Sequence, residues 1–122
     1  MNPYTLNVQP IWQLDDEQFF QLSQANPELK LERTPQGNLM IISPTGGETG
    51  NCNAELIAEF SLWNRQKQQG KVFDSSTGFK LPNGAIRSPD LAWIKQERWD
   101  NLSEQEHRKF PCLAPDFVLE LR

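Results

Sequence analysis

The sequence predicts an α/β fold in which helices alternate with the strands of a sheet. Three observations carry this. Leu29-Lys30-Leu31-Glu32-Arg33 alternates apolar and polar residues, as a half-buried strand does. Between Glu48 and Gln69, residues Ala54, Ile57, Ala58, Ser61 and Leu62 recur at helical spacing. Leu91–Ile94 and Phe117–Leu121 are short apolar runs of strand length. The chain has 122 residues, enough for one domain with one core and too few for two.

The elements follow in order. The first dozen residues, with Pro3 and Pro10, read as an extended arm. Asp15-Asp16-Glu17 opens a short helix that Asp15 or Asp16 caps and Asn26-Pro27 stops; Phe19, Phe20 and Leu22 form its apolar face. The strand at 29–33 turns through Pro35-Gln36-Gly37-Asn38 into a returning strand at 39–42. Ser43-Pro44-Thr45-Gly46-Gly47 breaks the pattern and leads into the long helix, with Leu56, Phe60 and Trp63 widening its stripe and Gly70 as its stop. Strands are expected at 71–74, 79–82, 85–87 and 91–94, and Asn83-Gly84 is a hairpin signal. Residues 96–109 suit one or two short helices, with Ser103 and Glu106 as a capping box. The last strand starts at Phe117.

Composition excludes several classes. The hydrophobic fraction is 37% and the charged fraction 23%, which fits a soluble globular protein. No apolar run approaches the roughly 20 residues of a membrane span. The first residues lack the pattern of a secretory signal, so a cytoplasmic protein without a membrane partner is expected. Cys52 and Cys112 read as reduced thiols and are too few for a zinc site. The single histidine, His107, sits among Glu104, Glu106, Arg108 and Lys109 and reads as part of a solvated helix face. Serine- and cysteine-nucleophile mechanisms would have to use that one residue and are set aside. The net charge of −4 argues against generic nucleic-acid affinity, yet carboxylates clustered around a divalent metal would themselves contribute such a charge.

Two segments combine an apolar run with an acid that packing does not call for: Arg87-Ser88-Pro89-Asp90-Leu91-Ala92-Trp93-Ile94 and Pro115-Asp116-Phe117-Val118-Leu119-Glu120-Leu121-Arg122. In the second, alternation sets Phe117, Leu119 and Leu121 on one face and Asp116, Val118, Glu120 and Arg122 on the other. A buried carboxylate needs a partner or a metal. Two acids on adjacent strands can hold a hard cation through oxygen, and a cation nearby offsets charge on a phosphate. The plainer alternatives are a turn acid for Asp90 and an ion pair of Glu120 with Arg122 or Arg87. Asp116 reads as a strand-start residue, Arg87 and Lys80 as surface cations, and Trp12, Trp63, Trp93 and Trp99 as packing residues.

Pro89-Asp90 followed by Glu120-Leu121-Arg122 resembles the P-D…(D/E)-x-K signature of the restriction-endonuclease-like (PD-(D/E)XK) superfamily. More narrowly, five segments in order resemble the Uma-type restriction endonuclease family abundant in cyanobacteria: Ile42–Gly47, Ser75–Phe79, Leu81–Gly84, Arg87–Asp90 and Pro115–Arg122. The likeness covers nearly the whole chain. It implies a restriction-endonuclease-like core, with a central mixed sheet flanked by helices. It also implies Mg²⁺- or Mn²⁺-dependent hydrolysis of DNA phosphodiesters. Asp90 and Glu120 carry over as catalytic metal ligands with Arg122 as the accompanying cation, and a further acid, Glu48 or Glu55, would come from the long helix. Arg122 stands where the signature has lysine; an arginine stabilises phosphate charge but does not act as a base.

Family members continue past this point with a lysine-bearing helix and further strands. Residues 1–122 are therefore expected to be a single, C-terminally truncated domain. Two other functions compete with the nuclease: a catalytically inactive remnant or DNA- or protein-binding module of the same fold, and a homodimer paired through an exposed strand.

Overall fold

The computed structural model describes residues 4–9, 11–44 and 46–121. Among the described residues, eight strands and four helices follow in the order β1 (Tyr4–Leu6), α1 (Asp16–Ala25), β2 (Lys30–Arg33), β3 (Leu39–Ile42), α2 (Gly47–Lys67), β4 (Gly70–Phe73), β5 (Phe79–Lys80), β6 (Ile86–Arg87), β7 (Leu91–Lys95), α3 (Gln96–Asp100), α4 (Glu104–Arg108) and β8 (Phe117–Leu119). The α/β class with helices flanking a sheet core is as the sequence predicts. The strands divide between two antiparallel sheets rather than joining one: a five-stranded sheet in the order β1-β3-β2-β6-β5 and a three-stranded sheet in the order β4-β7-β8.

The chain passes between the sheets on either side of β4 and again between β6 and β7. The hairpin at Asn83-Gly84 forms, with Gly84 at φ +90°, and pairs Phe79 with Arg87 and Lys80 with Ile86. Ser88-Pro89-Asp90 then turns the chain out of the first sheet into β7. Proline lacks the N–H that a continuing ladder would need. Part of the predicted N-terminal arm is a strand, since Tyr4–Leu6 pairs with β3.

Two cores hold the sheets, and Phe79 of β5 in the first sheet belongs to the second core. Leu14, Phe19, Leu31, Leu39 and Ile86 pack where α1 covers the first sheet. Phe79, Ala92, Ile94 and Leu113 form the second core with Phe73, Leu81, Trp99 and Leu102 around them. Asp15 caps α1 through a capping box with Gln18, and Ser103 caps α4 in the same way with Glu106. The long helix has no fully buried residue. It is held at the second sheet by Phe60 stacked on Phe117, Trp63 edge-on to Trp93, and the Trp93 indole donating to Asn64. It ends at Gln68, in the left-handed region, and not at the predicted glycine. Gly70 begins β4, where a Cβ would lie 2.3 Å from the Ile94 carbonyl oxygen and 2.6 Å from the Trp93 ring. Its small size serves strand pairing.

Arg33 ties the first sheet to α1. Its buried guanidinium donates to the carbonyls of Leu14 (3.0 Å) and Gly84 (2.9 Å) and to Asp16 (2.7 Å), which also receives Lys80 at 2.6 Å. Burial pulls the Asp16 pKa up, but the hydrogen bonds from Lys80 and Arg33 outweigh it, leaving Asp16 below the usual aspartate value. Among the described residues no helix is long and apolar enough to cross a membrane.

Two outcomes follow. Arg33→Met, which leaves two carbonyls and Asp16 without their donor, is expected to cost about 3 kcal/mol in urea unfolding. Because folding lowers the Asp16 pKa, its contribution is present above the unfolded value of about 3.9 and is lost as pH falls through the folded one. Asp16→Asn is therefore expected to melt below the wild type near neutral pH, with the gap closing under about pH 4.

Candidate functional site

Alternation along β2 sets Leu31 and Arg33 on the α1 side and Lys30 and Glu32 on the other. Both Lys30 and Glu32 meet the turn between β6 and β7. Glu32 is 8% exposed; it accepts the Ser88 N–H at 2.7 Å and pairs with Arg87 at 3.3 Å. Arg87 stands directly across the ladder, one step beyond the Arg33–Ile86 pair. The Lys30 ammonium lies 3.6 Å from the Asp90 carboxylate.

Asp90 is buried at the mouth of β7. One carboxylate oxygen accepts the Leu121 N–H at 2.6 Å. Strand β8 pairs with β7 as Leu91–Leu119, Ala92–Val118 and Trp93–Phe117. Extended one residue past Leu91–Leu119, that register would set the backbone of Asp90 opposite that of Glu120, the two acids named from the sequence. Glu120 is not deep in a central strand, however. β8 is the outer strand of its sheet, with Phe117 45% and Val118 48% exposed, and Glu120 is exposed just beyond it. Arg122 lies outside the described residues.

Glu48 and Glu55 are exposed on α2. Among the described residues no three His, Cys, Asp or Glu side chains are grouped to hold a metal ion, so neither glutamate joins Asp90 and Glu120 in a three-acid cluster. The part of α2 that meets the sheet is taken by Phe60 and Trp63.

Asp116, Arg87 and Lys80, also singled out from the sequence, have structural partners. Asp116 accepts the Lys95 N–H and pairs with Arg98, both at 2.9 Å. Burial works against these contacts, yet they hold its pKa below the usual range. Arg87 pairs with Glu32 and Lys80 with Asp16 instead of standing as surface cations. His107 is stacked on Trp99 at 4.0 Å, and its Nε2 donates to the Trp99 carbonyl, so it packs rather than standing in solvent. Cys52 and Cys112 are exposed free thiols. A cleft of about 590 Å³ is lined in part by Lys30 and Ser88, with Phe20, Thr77, Arg108 and Lys109 among its other walls.

Sequence reasoning assigned Lys30 and Glu32 only to the polar side of a half-buried strand. The missing signal was that this side faces the turn carrying Asp90. The burial difference predicts a graded response in thermal melts: Glu32→Ala strands the buried Ser88 N–H and Arg87 and is expected to cost about 3 kcal/mol, whereas Lys30→Ala, at a partly exposed pair, is expected to cost less than about 1 kcal/mol.

A comparison with curated proteins found no match. Residues 16–122 match the family model Uma2, described as "Putative restriction endonuclease". That match spans α1 to the end of the chain and takes in both acids of the β7–β8 pair, and the chain belongs to the Uma2 restriction endonuclease family.

Proposed function

We propose that the protein is a divalent-metal-dependent DNA endonuclease in which Asp90 and Glu120 hold the cation. The observation that carries this is the β7–β8 register, which extended by one residue would set Asp90 opposite Glu120, together with the Leu121 N–H on Asp90. Membership in a restriction endonuclease family supports DNA as the substrate.

The residues fit such a metal. Both donors are carboxylates, and Mg²⁺ is usually held by one or two carboxylates, with water and substrate phosphate completing its shell. Asp90 already draws a positive charge to itself in Lys30. Mg²⁺ or Mn²⁺ would supply Lewis acidity at the phosphate and make water more acidic. The chain's own part is positional. The Leu121 N–H holds one oxygen of Asp90 while the other faces the Lys30 ammonium, and Glu120 immediately precedes Leu121. Arg122 is proposed to offset phosphate charge. In the hydrolysis one water oxygen bonds to phosphorus and one phosphorus–ester bond breaks. One proton of that water ends on the departing oxygen, and the other is released with the new phosphate monoester.

A binding module without catalysis is the second reading. It is favoured by the lack of a three-acid group among the described residues and by arginine at 122.

Asp90→Asn and Glu120→Gln keep the shapes of the side chains and remove the charge. Each is expected to lower Mn²⁺-dependent cleavage of plasmid DNA by at least about 100-fold while the circular dichroism spectrum stays unchanged. Unaltered cleavage in both would refute the assignment. A folded wild type that binds Mn²⁺ and DNA yet leaves the DNA intact would favour the second reading.

A further inference from the structure

We infer that Lys30 supplies, from β2, the cation that faces the scissile phosphate, a role the family signature gives to a residue two positions after the second acid. The inference rests on the nuclease reading above.

Lys30 is placed for this by its strand. Two residues further along the same face, Glu32 fixes Ser88 and Arg87 and so sets the turn that carries Asp90. The same strand thus positions the acid and presents an ammonium to it. The 3.6 Å separation from Asp90 exceeds the roughly 2.7–2.9 Å of a charge-assisted hydrogen bond, so the ammonium is drawn to the acid without being locked onto it. The side chain is 28% exposed and lines the cleft beside the turn, which gives a ligand access to it.

Three other cations nearby, Arg87, Lys80 and Lys109, lie closer to their partners. Arg87 pairs with Glu32 and Lys80 with Asp16. Across the cleft, Lys109 pairs with Glu17 at 2.6 Å and lies over the Phe20 ring, and Arg108 faces Glu104 at 3.7 Å. Glu28 is the acid among the cleft's lining residues. Lys30 is the cation of this group whose partner is the candidate metal ligand itself.

The role follows from charge. Without metal, the ammonium balances Asp90. When a divalent cation takes the carboxylate, Lys30 is repelled from it and is free to turn to a non-bridging oxygen of the phosphate arriving beside the turn. There it offsets the negative charge that builds as water attacks phosphorus. Lys30 forms no covalent bond in this scheme and transfers no proton.

The test compares wild type, Lys30→Ala, Lys30→Arg and Asp90→Asn by plasmid cleavage in Mn²⁺ and by calorimetric Mn²⁺ titration without DNA. Lys30→Ala is expected to cleave about 100-fold more slowly, Lys30→Arg to recover part of the loss, and Mn²⁺ to bind Lys30→Ala at least as tightly as wild type, because a competing cation has been removed. Cleavage by Lys30→Ala within about threefold of wild type, with Asp90→Asn inactive, would overturn this inference and leave the nuclease reading standing. Loss of Mn²⁺ binding in Lys30→Ala would also overturn it, since Lys30 would then only hold Asp90 in shape. A wild type that binds Mn²⁺ and cleaves no DNA would overturn both.

Discussion

Glu32 carries a carboxylate into a nearly dry position, and the structure around the candidate site depends on how that charge is satisfied. A buried carboxylate must find donors or lose far more than its packing returns. Its donors here are the Ser88 N–H, in the short link from β6 to β7, and the Arg87 guanidinium, on the last residue of β6. That contact clamps the link to β2. It fixes where β7 begins, and so which residue stands at the mouth of β7. With β7 placed, the pairing of Leu91 with Leu119 brings the end of β8 to Asp90, and the Leu121 N–H closes the arrangement.

The chain contains two Pro-Asp pairs ahead of apolar strands, and their partners separate them. Asp116 is bound by a backbone N–H and an arginine at the outer end of β7, a contact that holds β8 in register. Asp90 has one backbone N–H and faces a lysine across a longer gap. Asp116 is committed to structure. Asp90 keeps an oxygen oriented toward the Lys30 ammonium, and a divalent ion would use the same electrostatic preference. A protein of net charge −4 can act on a polyanion only if such local positive charge, from lysine or metal, offsets its carboxylates.

Much of this was legible in the sequence. The capping residues Asp15 and Ser103, the strand at 39–42 and the Asn83-Gly84 hairpin follow from local chemistry that tertiary contacts do not override. Asp90 stood out because an acid in an apolar run calls for a partner, and the Leu121 N–H and Lys30 meet it. Other features depend on contacts between distant segments. Gly70 looks like a helix stop until the Trp93 ring is seen against it. His107 looks solvated until Trp99 stacks on it. The division into two sheets, and the turning of Lys30 and Glu32 toward residues nearly 60 positions away, are set by which strands pair, and a strand's own alternation is silent on that.

Anomalous diffraction from crystals soaked in Mn²⁺ tests most directly for a divalent cation between Asp90 and Glu120. The predicted result is an anomalous peak within coordination distance of both Asp90 and Glu120, with the Lys30 ammonium moved off Asp90. A peak at other residues, or no peak at these two in crystals of protein that cleaves DNA with Mn²⁺, would contradict it.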